Sequence, residues 1–286
     1  MALDGAQSDD DKSGVRRSID RQNRAIAGDQ HATIAAIGEK RSFPAMNGRR
    51  LLPGKPIPLS ETPDYSIQRD TLEEVFADPF RVRLMRLAEI VKQSAEPLEG
   101  NIFYADNADR YADQPPDSEL APARRNVWRA VRFKAHLLEV GVNAGHSALL
   151  ALSSSPRLEY YGVDNMSHAY TAECVDFLKG EFPGRVHLFT GDSREVLPWL
   201  VNRRAELGFD IFHVDGGHTD EVCRSDMANC IGIASGQPGR HVLLDDVHAS
   251  WIFDVYCEFV SRGDLTTETF FGDWEEAGRN VLARIE

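Results

Sequence analysis

The stretch Leu137-Leu-Glu-Val-Gly-Val-Asn-Ala-Gly-His-Ser-Ala148 decides the architecture. From His136 to Val140 it is an apolar run of buried-strand length, broken only by Glu139 near its end. Gly141 and Gly145 then bracket a tight turn, and a helix is predicted to begin near His146. Glycines there let the backbone adopt dihedrals that other residues resist and let a ligand approach closely. The helix N-terminus behind them offers unpaired N–H groups to the polar end of that ligand. The G-x-G-x-x-G spacing of dinucleotide-binding turns is absent.

Towards the C-terminus, further β-rich apolar runs occur at 158–163, 186–189, 209–214 and 241–244, separated by helical stretches. That alternation predicts βαβ units and a parallel sheet with right-handed crossovers. Two more runs, 266–271 and 280–285, are joined by a short link and predict a terminal antiparallel hairpin. The expected fold class is α/β: a doubly wound, seven-stranded, Rossmann-like sheet over residues 135–286, closed by that hairpin.

Towards the N-terminus, residues 122–134 read as helix. Residues 96–121 read as a long loop rich in Asp, Asn and Pro that also holds Phe103, Tyr104 and Tyr111. Such a loop is either a lid over a binding site or a surface loop whose rings pack on the core. Thr71-Leu-Glu-Glu74 is a capping box. Asp78-Pro79 is expected to start a second helix with Asp78 as its N-cap, and Phe80, Leu84, Leu87 and Val91 form its apolar stripe. Residues 61–134 are thus a helical extension with a substrate lid. Residues 1–60, polar and punctuated by Gly and Pro, are expected to be disordered or irregular.

The net charge is −13, unevenly spread. Residues 1–60 hold 10 basic and 7 acidic side chains, which leaves 22 basic and 38 acidic ones in the remainder. An acidic body of that kind repels a phosphate backbone, so no nucleic-acid partner is expected. No apolar run reaches the roughly 20 residues of a membrane span, and the first residues lack the apolar core of a secretory signal. A cytoplasmic protein with no membrane partner is expected. The four cysteines, Cys174, Cys223, Cys230 and Cys257, form no C-x-x-C pair and read as core filler. Association into a homo-oligomer is expected for an enzyme of this size.

The chemistry-bearing residues fall at the predicted strand ends. Asp164 ends the second strand, 25 residues beyond Glu139, where an acid is placed to hydrogen-bond ribose hydroxyls or to cap the next helix. Asp192-Ser193 follows the third strand as a ligand contact or a helix cap. Asp215-Gly-Gly-His218 follows the fourth, and Asp245-Asp246 the fifth. Strand ends of a doubly wound sheet line one crevice, so Asp215, Asp245 and Asp246 should converge. Converging carboxylates repel, and a hard divalent cation such as Mg2+ relieves that through oxygen ligation. His218 is then a candidate general base, whereas His213 and His248 read as core or rim residues.

The elements Glu139-x-Gly141-x-x-x-Gly145-His146-Ser147, Asp215-x-x-His218 and Asp245-Asp246 together resemble class I S-adenosylmethionine-dependent methyltransferases. Within these they resemble the metal-dependent sugar O-methyltransferases of the macrocin type, over about residues 136–250. The resemblance implies S-adenosylmethionine contacts from Glu139, Gly141, Asn143, Gly145, Ser147, Asp164, Asp192 and Ser193, with Asp192 accepting from the adenine amino group. It implies Mg2+ ligation by Asp215, Asp245 and Asp246, with Asp215 and His218 as the catalytic pair. The implied partner is a small molecule that offers a hydroxyl of a glycoside or similar polar compound. A phenolic or polyketide acceptor, and a non-catalytic S-adenosylmethionine-binding module, stand as alternatives.

Overall fold

A computed structural model of the chain describes residues 71–104, 116, 118–271 and 280–286. Two helices open the described part, α1 (Leu72–Val75) and α2 (Asp78–Ser94), followed by α3 (Ala121–Val131). The alternating part then runs β1 (His136–Val140), α4 (His146–Ser154), β2 (Glu159–Asp164), α5 (Ala169–Glu181), β3 (Val186–Thr190) and α6 (Ser193–Val201). It continues with β4 (Ile211–Val214), α7 (Asp220–Ala234), β5 (His241–Leu244), α8 (Ser250–Ser261), β6 (Leu265–Phe271) and β7 (Asn280–Ile285). All seven expected strands are present, within two residues of the predicted ends. Residues 1–60, and residues 105–115 (with Tyr111) and 117 of the expected lid, lie outside the described residues.

The strands form one sheet in the order β3-β2-β1-β4-β5-β7-β6. The first five pair in parallel, and β7 is antiparallel to both β5 and β6, as the hairpin reading requires. Pleating sends alternate side chains to opposite faces. Leu137, Tyr160, Ile211 and Leu243 enter an apolar layer with Leu149 of α4 and Val175 of α5. Leu138, Tyr161, Phe212 and Leu244 enter the other layer with Leu197 of α6, Met227 of α7 and Val255 of α8. Helices on both faces make the sheet doubly wound.

The N-terminal helices belong to this core. Phe80, Leu84, Leu87 and Val91 of α2 are all buried, in the same cluster as Leu137 and Leu149. At about 1.5–3 kcal/mol for each large apolar side chain removed from water, the stripe is a substantial part of the stability. The Thr71 hydroxyl caps α1 by accepting from the Glu74 amide at 3.3 Å, as the capping box predicts. The expected Asp78 cap is corrected. Ala77 is the N-cap of α2, and Asp78 is the first helical residue, where its charge faces the helix dipole. Cys174, Cys223 and Cys230 are buried as core filler, but Cys257 is exposed on α8.

Candidate active site

Parallel pairing brings the C-terminal ends of β1 to β5 to one edge, and backbone bonds extend the ladder past those ends. Asp215 N donates to the Val140 carbonyl at 3.0 Å, and Asp245 N to that of Val214 at 3.1 Å. Asp215 and Asp245 therefore stand side by side just beyond β4 and β5. A cleft opens above them. One wall is the turn Gly141–Ala144 with His146 and Ser147, and the other holds Asp215, His218, Asp245 and Asp246. Gly100, Asn101, Ile102, Leu120 and Ala123 cover it from the N-terminal extension.

The turn itself is shaped by close backbone approach. Gly141 has φ +89°, and a β-carbon there would stand 2.2 Å from the Asp215 carbonyl oxygen. Gly145 caps α4 in the left-handed conformation at φ +73°, where a β-carbon would strike Leu178. Asn143 also has positive φ, 52°, a region asparagine tolerates better than most residues. Its Nδ2 donates to the carbonyls of Glu99 and Gly100, and its Oδ1 accepts from the Tyr170 hydroxyl at 2.7 Å. Asn143 thereby straps the 99–101 segment to the turn.

Asp164 is engaged with the same turn. Its Oδ2 accepts from the amides of Val142 (2.9 Å) and Asn143 (3.1 Å), and its Oδ1 from that of Met166 (2.7 Å). Helix α5 begins after His168, which supplies no side-chain cap, so the capping alternative for Asp164 does not hold. Asp192 does cap α6, accepting from Arg194 N at 2.9 Å, and it also pairs with the Arg194 guanidinium at 2.6 Å. That hydrogen bond holds its carboxyl below the usual range against the opposing effect of burial.

Glu139 lies below the cleft rather than in its lining. It is fully buried, accepts a short hydrogen bond from the Tyr160 hydroxyl, and meets His213 Nδ1 at 2.7 Å. Burial lowers the His213 pKa, but the hydrogen bond and charge of Glu139 outweigh it and raise the value overall. Burial, then the charges of Asp245, Asp246 and Glu139, push the Asp215 carboxyl well above the ordinary carboxylate range. His218 Nδ1 lies 2.7 Å from Asp246 Oδ2, and that hydrogen bond raises the imidazole's pKa. His146, buried among Phe103 and Tyr104, is pushed down to about 4 by burial alone.

Of the residues singled out in the sequence, the cleft brings together Gly141, Asn143, Ser147, Asp215, His218, Asp245 and Asp246. Glu139, Gly145, Asp164, Asp192 and Ser193 do not line it; Asp164 supports the turn from behind. Asp246 is turned onto His218, while a nitrogen of His213 and an oxygen each of Asp215 and Asp245 lie within 4.8 Å of one another. His213, read as a core or rim residue, is therefore part of the acidic cluster. Of the two readings of the aromatic loop, ring packing on the core holds for Phe103 and Tyr104, which are both buried. Asn101, Ile102, Leu120 and Ala123 carry no local signal beyond the Asn-rich loop that contains or precedes them.

Residues 138–247 match the family described as a methyltransferase domain. The search of curated proteins gave no significant match. Among solved structures, the chain is similar to the O-methyltransferase TomG from Streptomyces achromogenes, involved in tomaymycin synthesis and solved with SAM. The identity is 16% and the TM-score 0.52, over 71% of this chain and 89% of that one. It is equally similar to cofactor-bound Rv0187 from MTB, at 16% identity and TM-score 0.52, over 75% and 94% of the two chains. An O-methyltransferase from Bacillus cereus, in complex with SAH, follows at 11% identity and TM-score 0.50, over 75% and 95%. The fold is the Rossmann-like methyltransferase fold with its terminal antiparallel hairpin. The matched methyltransferase domain, residues 138–247, lies at the centre of the chain and spans β1 to β5. Among the described residues, no helix is long and apolar enough to cross a membrane.

Proposed function

We propose that this protein moves the methyl group of S-adenosylmethionine to a hydroxyl of a polar small molecule, a glycoside in the first instance, with a divalent cation assisting. The observation that carries the reading is the Asp246–His218 pair, at 2.7 Å, across one cleft from the Gly141–Ser147 turn. The cofactor fits the site: a glycine turn that no side chain could replace at Gly141, and a helix N-terminus behind it. A cation fits as well, because Asp215 and Asp245 stand at adjacent strand ends, and burial together with the charge of Asp245 raises the cost of ionising Asp215.

When bound, S-adenosylmethionine supplies the electrophilic methyl group, and the cation supplies a Lewis acid that makes the acceptor hydroxyl more acidic. Asp215 and Asp245, with Asp246 beside them, are the residues to hold that cation. With Nδ1 donating to Asp246, His218 keeps Nε2 free of its proton, so it is oriented to take the hydroxyl proton. Asn143 and the 99–101 segment close the cleft and align the two reactants. Asp164 and Asp192, at the ends of β2 and β3, are the acids for the ribose and adenine ends of the cofactor. Gly100, Asn101, Ile102 and Leu120, which line the cleft, are the residues to cover the acceptor.

Two measurements test this. Calorimetry on the full chain should show micromolar binding of S-adenosylmethionine and none of NAD. Labelled methyl transfer, screened over glycosides, phenols and polyketides, should appear on a hydroxyl and fall on chelation. Transfer untouched by chelator removes the cation from the reading, and binding of NAD instead removes the whole of it.

A further inference from the structure

The strand register puts a histidine under the acidic pair. Glu139 of β1 is the register partner of His213 of β4, and His213 in turn is the partner of Leu243 of β5. Strand side chains repeat their face every second residue. Asp215 and Asp245, two positions beyond His213 and Leu243, therefore lie on the face that carries Ile211, His213 and Leu243. One His213 nitrogen and one oxygen from each acid fall within 4.8 Å of one another. Glu139 occupies Nδ1 at 2.7 Å. His213 Nε2 is buried without a hydrogen-bond partner, on a residue only 1% exposed.

An orphan ring nitrogen in the interior is costly unless something meets it. A carboxylate behind one imidazole nitrogen and a cation before the other is a recurrent arrangement, in which the acid fixes the tautomer and makes the ligating nitrogen more basic. We propose that His213 is a direct ligand of the divalent cation, through Nε2 and held by Glu139. The site is then a mixed one, His213 with Asp215 and Asp245, rather than an all-carboxylate one. Imidazole suits first-row transition cations such as Fe2+, Ni2+ and Zn2+, and Mg2+ prefers oxygen throughout, so a nitrogen ligand shifts the site away from Mg2+ and towards transition-metal ions, for which Mn2+ is the paramagnetic probe. Glu139 accordingly acts on the cation through His213 and not on the cofactor.

The inference rests on the cation reading above, and pulsed electron paramagnetic resonance with Mn2+ on the full chain separates the two. The expected result is Mn2+ with nitrogen modulation whose pattern changes when histidine is supplied as its 15N form. The signal should persist in a His218→Ala, His248→Ala double variant. In His213→Ala it should vanish, with Mn2+ affinity falling by at least about tenfold and Mg2+ affinity changing less. The wild-type and double-variant spectra need no substitution at His213, so they decide the matter even if His213→Ala does not fold. Mn2+ that binds without nitrogen modulation overturns His213 as a ligand and leaves it a counter-charge to the acids. A chain that binds no Mn2+ overturns both readings.

Discussion

Gly141 and Asp215 touch through bare backbone: a β-carbon on the glycine would stand 2.2 Å from the Asp215 carbonyl oxygen. The cofactor turn and the acidic strand end are therefore one packed unit, and the glycine is demanded by protein as much as by ligand. Gly141→Ala adds that clash to the strain of φ +89°. Strain of this kind costs about 1–3 kcal/mol before the clash is counted. The melting temperature should fall by several degrees and cofactor affinity with it. An alanine variant that melts with the parent would contradict this packing.

His218 should matter to turnover far more than to binding. Removing a general base costs roughly 10²–10⁴ in rate. His218→Ala is expected to lose turnover in that range, with the dissociation constant for S-adenosylmethionine within a few-fold of the parent by calorimetry. A large loss of cofactor binding would instead make His218 structural. Trp251 would share in that role, since its indole holds the His218 carbonyl at 2.8 Å.

His146 governs part of the acid limb of stability. Its folded pKa is pushed down to about 4, below the ordinary 6.5, because a buried imidazole resists charge. A group depressed in this way contributes stability that is complete above about pH 6.5 and is lost as pH falls towards 4. Over that window the loss approaches about 3 kcal/mol, at 1.36 kcal/mol per unit. Chemical denaturation of His146→Leu at pH 7.5 and pH 4.5 should show a smaller drop than the parent. Equal drops in the two proteins would remove His146 as the cause.

Asn143 makes its own prediction, because one side chain straps the 99–101 segment to the turn and takes the Tyr170 hydroxyl. Asn143→Gly keeps the positive φ accessible and deletes the strap. KM for the acceptor and cofactor should rise while the melting temperature changes by only a few degrees. A variant with unaltered KM would show that the segment needs no strap to cover the cleft.

Much of this site could be read along the chain. Gly141, Gly145 and the acids Asp164, Asp192, Asp215, Asp245 and Asp246 each follow an apolar run, and a run followed by a turn is a local pattern. Those acids do gather at one edge. The positions read less well are those whose neighbours come from elsewhere. Glu139 shares the strand end with the turn, yet its carboxylate meets Tyr160 and His213 instead of the cleft. Ile102, Leu120 and Ala123 reach the cleft because the N-terminal helices share the core beneath α4.

The order of strands and helices, the parallel sense of β1 to β5, and hence the edge at which every strand-end acid emerges are legible along the chain. Those properties follow from apolar periodicity and from the handedness of βαβ crossovers, which are local. What each acid faces emerges on folding: Glu139 beside His213, Asp246 against His218, Asp215 level with Asp245. Spacing along the chain sets the end and face of a strand on which a side chain lies. The lateral neighbour is set by which distant strand pairs there, and β1 pairs with β4 through a register of 74 residues' separation.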